Sequence, residues 1–256
     1  MRADVFLVTH GYAPSREAAR KSIEASLVTV DGKLIGKPSE SVDENTTHVV
    51  DYRSSIPYVS RGGLKLEKAL DEFGINVSGY VCIDIGASTG GFTDCLLKRG
   101  ASKVYAVDSG HGQLSPLIAS EDRVVSLEGV NARELPPSVI GEPCDIAVMD
   151  VSFISQTYIL PVIPPILKEN GIAVTLIKPQ FEAGRSGVGK GGIVKDPEVR
   201  KNAVNRVIEC AFACGLYASG LTASSITGGD GNREFLVYFR KDKHYYNPDV
   251  MKNFSF

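Results

Sequence analysis

The pattern of apolar and polar positions separates a short helix-and-hairpin start from a long alternation of strands and helices. Residues 3–8 have the spacing of one helical turn and more. Ser15 stands where an N-cap would, ahead of a helical run from Arg16. Two apolar runs, 27–30 and 33–35, are separated by Asp31-Gly32, a pair that turns one strand back on another. Residues 51–63 have no periodicity and are rich in serine, glycine and other turn formers. A helix is expected over 64–73, with Leu66, Leu70 and Phe73 on one face. Apolar runs follow at 81–85, 103–108, 123–127 and 144–150, the last continuing as strand through 151–155, and a fifth at 171–178. A helix over 197–214 and runs at 216–222 and 234–240 close the series. Strands alternating with helices predict an α/β fold on a doubly wound sheet. The expected organisation is a small α+β domain over 1–55, a linker over 56–63, and a Rossmann-like domain over 64–256.

The stretch 81–92 carries the first chemical signal. An apolar run ends in Asp84-Ile-Gly86-Ala87-Ser88-Thr89-Gly90-Gly91-Phe92 and passes into a helical pattern. The next apolar run ends on Asp108, where a carboxylate can accept hydrogen bonds from a ribose diol. A dinucleotide site requires Gly-x-Gly-x-x-Gly, so that a helix N-terminus meets a pyrophosphate. Here position 88 is serine, and Asp84 stands two residues before the first glycine, where it opposes a pyrophosphate and can attract an amino group. S-adenosylmethionine (SAM) has an amino acid, a sulfonium and a ribose but no phosphate, so the turn fits SAM better. Asn131, just beyond the third run, can border the adenine.

Net charge and cysteine content narrow the remaining classes. The 256 residues carry a formal charge of −2, so an RNA contact must come from local patches. The five cysteines are odd in number and sit mostly in apolar patterns, as expected for free thiols in a reducing cytoplasm. No histidine cluster completes a metal site around them. No signal peptide is expected. The most apolar stretch, 158–167, has three prolines and is shorter than the roughly 20 residues of a spanning helix.

Four charged residues fall where a doubly wound sheet binds its ligands. Asp150 and Lys178 end consecutive expected strands, Glu234 begins the last one, and Lys65 lies in the first turn of the helix entering the domain. Beside a sulfonium methyl they would serve attack by a ribose 2′-hydroxyl, which needs orientation and loss of one proton. Two roles stay open for Lys178: it takes the proton, or it remains charged and orients the hydroxyl. Arg16, Arg20 and Lys21 share one face of the second helix, as a phosphate-binding or an ordinary solvated face. The glycine-rich segment 183–196 carries Arg185, Lys190 and Lys195, and reads either as a loop closing over RNA or as a solvated connection.

Residues 1–50 resemble the RNA-binding domain of the ribosomal protein S-four type. The matching residues are Ser15-Arg16-Glu17, Ala19-Arg20-Lys21, Ile23 and Val28-x-Val30-Asp31-Gly32-Lys33, while Ala3 replaces the usual leucine. Over nearly its whole length the chain resembles the TlyA family, whose members carry both the name hemolysin and the name rRNA 2′-O-methyltransferase. Its catalytic part is similar to FtsJ-like ribose methyltransferases. The resemblance runs through Tyr58-Val-Ser-Arg-Gly-Gly-Leu-Lys65, Asp84 to Phe92, Asp150-Val-Ser-Phe-Ile-Ser155, Lys178-Pro-Gln-Phe-Glu182 and Gly229-Asp-Gly-Asn-Arg-Glu234. It implies that Lys65, Asp150, Lys178 and Glu234 are a Lys-Asp-Lys-Glu catalytic set, and that the glycine turn and Asp108 contact SAM. With Asn131 and Asp150 these complete the expected cofactor site. The expected RNA-facing set is Ser15, Arg16, Arg20, Lys21, Arg61, Arg185 and Lys190. The implied activity is cytidine ribose methylation of ribosomal RNA, on free RNA or on ribosomal subunits, in the cytoplasm and away from membranes. The rivals are a membrane-active hemolysin and a ribosome-binding factor without catalysis. The sequence specifies neither the target nucleotide nor the oligomeric state.

Overall fold

The computed structural model describes residues 1–24, 26–44, 47–52, 56–184, 187–228 and 231–256. The chain divides into two units, Met1–Tyr58 and Val59–Phe256.

In the first unit, α1 (Ala3–Thr9) and α2 (Arg16–Glu24) precede β1 (Val28–Val30), β2 (Lys33–Leu34) and β3 (Val50–Tyr52). Ser15 caps α2, its Oγ accepting from the Ala18 amide at 3.2 Å. Phe6 and Leu7 of α1 pack with Ala19 and Ile23 of α2 and with Val28 and Val30 of the sheet. Asp31 and Gly32 both have positive φ, 52° and 75°, the handedness that matches the twist of a two-residue hairpin. The sheet order is β2-β1-β3, with β3 antiparallel to β1. Strand β3 has no counterpart in the sequence reading, because three residues are too few to show an alternation.

The second unit opens with α3 (Gly62–Glu72), which starts two residues before its expected first residue. Its sheet consists of β4 (Val81–Ile85), β5 (Lys103–Asp108), β6 (Val124–Glu128), β7 (Cys144–Met149), β8 (Leu167–Ile177), β9 (Tyr217–Ala223) and β10 (Phe235–Arg240). The order is β6-β5-β4-β7-β8-β10-β9. Strands β4 to β8 run parallel, and β10 is antiparallel to both β8 and β9. The connecting helices are α4 (Gly91–Lys98), α5 (Pro116–Ala119), α6 (Pro137–Ile140), α7 (Ile163–Ile166), α8 (Pro179–Glu182) and α9 (Pro197–Ala213). Fully buried side chains from adjacent strands, among them Ile83, Ile85, Met149, Phe235 and Phe239, form the core. Burial of each contributes about 1.5–3 kcal/mol.

The chain builds outward from β4 to β6 on one side and from β7 onward on the other. A crevice therefore opens at the carboxyl ends of β4 and β7. Strand β7 ends at Met149 and does not continue through 151–155 as expected. Its partner β4 ends at Ile85, paired with Met149, and turns away at Gly86, so the backbone beyond loses one neighbour. Residues 150–155 form a turn, with Phe153 at φ 65°. Cys82, Cys95 and Cys144 are buried, Cys210 and Cys214 are half-buried, and none of the five is in a disulfide. Among the described residues, no helix is long and apolar enough to cross a membrane, and no group of histidine, cysteine or acidic residues could hold a metal ion.

Candidate active site

Two adjoining cavities occupy the crevice. The first, about 380 Å³, is lined by Gly86, Ser88, Asp108, Val130, Asn131 and Phe153 among others. The second, about 270 Å³, is lined by Arg61, Lys65, Ala87, Phe92, Asp150 and Lys178 among others, and shares Gly86, Ser88, Asp150 and Ser152 with the first.

The turn after β4 separates the two. Gly86 has φ +85°, and a Cβ there would lie 2.4 Å from the Asp150 carbonyl oxygen. The close approach lets β4 and β7 end side by side, and only glycine permits it. Asp108 fixes the turn from the next strand: its Oδ2 accepts from the Ser88 amide at 2.7 Å and its Oδ1 from the Gly110 amide at 2.8 Å. A carboxylate retains further acceptor sites, so Asp108 can still receive a ligand's hydroxyls. Asn131 holds its backbone by accepting from the Arg133 amide at 3.1 Å. Thr89, Gly91 and Phe92 line the second cavity, whereas Gly90 is the left-handed residue ahead of α4.

Asp84 departs from its expected role. It is fully buried and lines neither cavity. Its Oδ2 accepts from the Thr93 amide at 2.9 Å and from the Thr93 hydroxyl at 2.7 Å, which fastens the first turn of α4 to β4. Burial pushes this carboxyl up to about 7, against the two Thr93 hydrogen bonds. Its contact is with the helix start, so the expected attraction to a ligand's amino group has no geometric support.

The four charged residues meet as two ion pairs. Lys178 Nζ is 2.6 Å from Asp150 Oδ1, and it donates to Ser152 Oγ at 2.7 Å. Lys65 Nζ is 2.6 Å from Glu234 Oε2, both side chains nearly buried. Lys65, Asp150 and Lys178 line the same cavity, with Glu234 tied to it through Lys65. Local sequence explains the placement. Pro179 stops β8 directly after Lys178, which leaves the lysine at the rim. Lys65, in the first turn of α3, meets there the carboxylate that balances it.

The residues present fit SAM. Asp108 offers a carboxylate for a ribose diol, Val130 and Asn131 offer a slot for a base, and the second cavity brings the glycine turn against the charged cluster.

The expected RNA-facing residues divide. Arg61 precedes α3 and lines the second cavity. Lys190 and Lys195 are exposed but line neither cavity, and Arg185 lies outside the described residues. In the first unit, Ser15 is the helix cap, and each cation on α2 has an acidic partner. Lys21 lies 2.8 Å from Glu17, Arg20 3.6 Å from Glu24, and Arg16 3.1 Å from Asp4. Asp4 is fully buried, and the Arg2 guanidinium hydrogen-bonded to it, with Arg16 beside it, holds its carboxyl down at about 2. The face is basic but largely compensated.

Sequence reasoning missed Ser152, Phe153, Gln113 and Arg133, all lining the first cavity. Phe153 is 92% exposed. Reading 151–155 as strand hid Ser152 and Phe153, because alternation gives no sign of a turn. Gln113 and Arg133 lie on connections with no motif of their own.

Residues 58–241 match the FtsJ-like methyltransferase family, and residues 1–48 match the S4 domain. The chain is 43% identical to the 16S/23S rRNA (cytidine-2′-O)-methyltransferase TlyA of Mycobacterium tuberculosis, over 93% of this chain and 89% of that one. It is 46% identical to Hemolysin A of Brachyspira hyodysenteriae, over 93% of this chain and 99% of that one. A solved structure from Streptococcus thermophilus, named as a hemolysin, superposes with a TM-score of 0.74 at 42% identity, covering 97% of this chain and 90% of that one.

Proposed function

The chain belongs to the FtsJ-like methyltransferase family, and from that premise we propose that it transfers the methyl group of SAM to the 2′-hydroxyl of cytidines in ribosomal RNA. The observation that carries this reading is the pairing of Lys65 with Glu234 and Lys178 with Asp150 beside the glycine turn. SAM would supply an electrophilic methyl on a sulfonium, with a neutral thioether as the leaving group. The side chains then have two tasks, to hold a weak nucleophile in line and to remove its proton.

Lys178 is placed to do the first as a cation. With Asp150 at 2.6 Å it is one half of an ion pair, and its ammonium can fix a ribose oxygen and stabilise charge developing there. The hydroxyl proton passes to the Asp150 carboxylate of the pair. Lys65, held by Glu234, adds positive charge to the same wall. Phe153 offers an exposed ring at the rim on which an unpaired base can stack. The S4-type unit would contribute phosphate contacts through α2, and Arg61 would add one at the cavity. Such a substrate places the protein in the cytoplasm.

The test is methyl transfer from labelled SAM to ribosomal subunits by wild type and by Lys65→Ala, Asp150→Ala, Lys178→Ala and Glu234→Ala. Each variant is expected to lose about 10²-fold or more in rate while remaining folded. Full activity in any two of them contradicts the assignment of the cluster.

A further inference from the structure

We propose that Glu182 is a positioning residue for methyl transfer: its buried carboxylate fixes the turn 150–156, which presents Asp150, Ser152 and Phe153 to Lys178. This rests on the methyltransferase reading above. Glu182 ends α8, the short helix directly after Lys178, and is 2% exposed. Its Oε1 accepts from the Gln156 amide at 2.8 Å, and its Oε2 accepts from the Ser155 hydroxyl at 2.5 Å. Among the described residues no cation forms an ion pair with this carboxylate; burial pushes it up, against the Ser155 and Gln156 hydrogen bonds and the charge of Arg206, whose guanidinium donates to the Glu182 backbone carbonyl at 3.2 Å. A buried acid without a direct ion pair is unfavourable unless its hydrogen bonds compensate. Here both oxygens are committed to one turn.

The turn is stitched to the same segment along its length. Lys178 donates to Ser152 Oγ at 2.7 Å, the Gln156 side-chain amide donates to the Leu176 carbonyl, and the Phe153 and Phe181 rings lie 5.3 Å apart. Phe153 has φ 65°, a left-handed conformation that persists only where the surroundings over-determine it. Glu182 supplies two of those constraints from within five residues of Lys178. It touches no cavity and no reacting atom, so its effect passes through the turn.

Glu182→Ala and Glu182→Gln in the full chain separate positioning from bulk stability. Glutamine keeps an acceptor for the Gln156 amide, and Ser155 can turn its hydroxyl to Thr157 Oγ1, 2.7 Å away. The alanine variant is expected to lose about tenfold or more in single-turnover methyl transfer to ribosomal subunits at saturating SAM, a loss beyond any weakening of SAM binding through the residues of the turn that line the first cavity. The glutamine variant should recover most of the rate. Ser152→Ala combined with Glu182→Ala should cost less than the sum of the single losses, because both act on one turn. Hydrogen exchange at the Gln156 amide should accelerate in the alanine variant. If that variant fails to fold, Glu182→Asp, one methylene shorter, is read in the same way. A wild-type rate in the alanine variant, a loss confined to SAM affinity, a glutamine variant as impaired as alanine, or additive losses would overturn the proposal. If wild type itself methylates no ribosomal particle, the substrate reading fails. The hold of Glu182 on the turn is then read separately from exchange at Gln156, and unchanged protection overturns it.

Discussion

Replacing Gly86 by alanine tests the geometry that joins the cofactor turn to the reacting cluster. The residue sits at φ +85°, and an added Cβ would lie 2.4 Å from the Asp150 oxygen, 3.0 Å from the Asp150 carbonyl carbon and 3.0 Å from Val151 Cγ1. The left-handed backbone costs an L residue about 1–2 kcal/mol. The closest overlap is with the Asp150 main chain, which cannot rotate aside, and overpacking of this kind costs about 1–3 kcal/mol more. The expected total is about 2–5 kcal/mol, a large part of the ~5–15 kcal/mol that stabilises an ordinary domain. Relief requires the ends of β4 and β7 to spread, which moves Asp150 relative to Lys178. Urea unfolding gives the stability change and calorimetry gives SAM affinity, expected to weaken about tenfold or more, or ~1.4 kcal/mol. Gly74→Ala is the control: φ is +62° there and a Cβ would meet nothing within 4 Å, so it reports the backbone cost alone. If Gly86→Ala is no more destabilising than the control and binds SAM normally, the close approach of β4 to Asp150 is wrong.

Two further outcomes follow from the site. Asp84, held at about 7 by burial, has a folded value above the unfolded one. Its contribution to stability is therefore complete below about pH 4 and is lost as pH rises to about 7. Wild type should thus weaken relative to Asp84→Asn across that window in urea unfolding, and a pH-independent difference would contradict the burial argument. Lys178→Arg keeps a cation beside Asp150 and should retain measurable transfer with an unchanged pH–rate profile, whereas complete loss would return the proton-acceptor role to Lys178.

The sheet was legible in the sequence because its strands are centred on apolar runs, although the end of β7 and the start of β8 were not, at Met149 and Leu167. Asp108 and Lys178 were placed at the carboxyl rim by run length alone, and the structure puts both there. The antiparallel entry of β10 between β8 and β9 was not legible, since an apolar run carries no direction. Nor was the pairing of Lys65 with Glu234, whose partners lie 169 residues apart. Its one local trace is a lysine at a helix start, where the dipole disfavours it. Asp84 was misread for the opposite reason. An acid next to a glycine turn suggests a ligand contact, but strand alternation points its side chain at Thr93 instead. The turn 150–156 stayed hidden because its hydrogen bonds to Glu182 join residues 26 and 27 positions apart.

The most direct test is to incubate purified small and large ribosomal subunits with SAM and the full chain, then digest the RNA to nucleosides and identify the methylated species by mass spectrometry. Wild type is expected to yield 2′-O-methylcytidine, and Lys178→Ala none above background. A methyl group on a base, or equal yields from the two proteins, would contradict it.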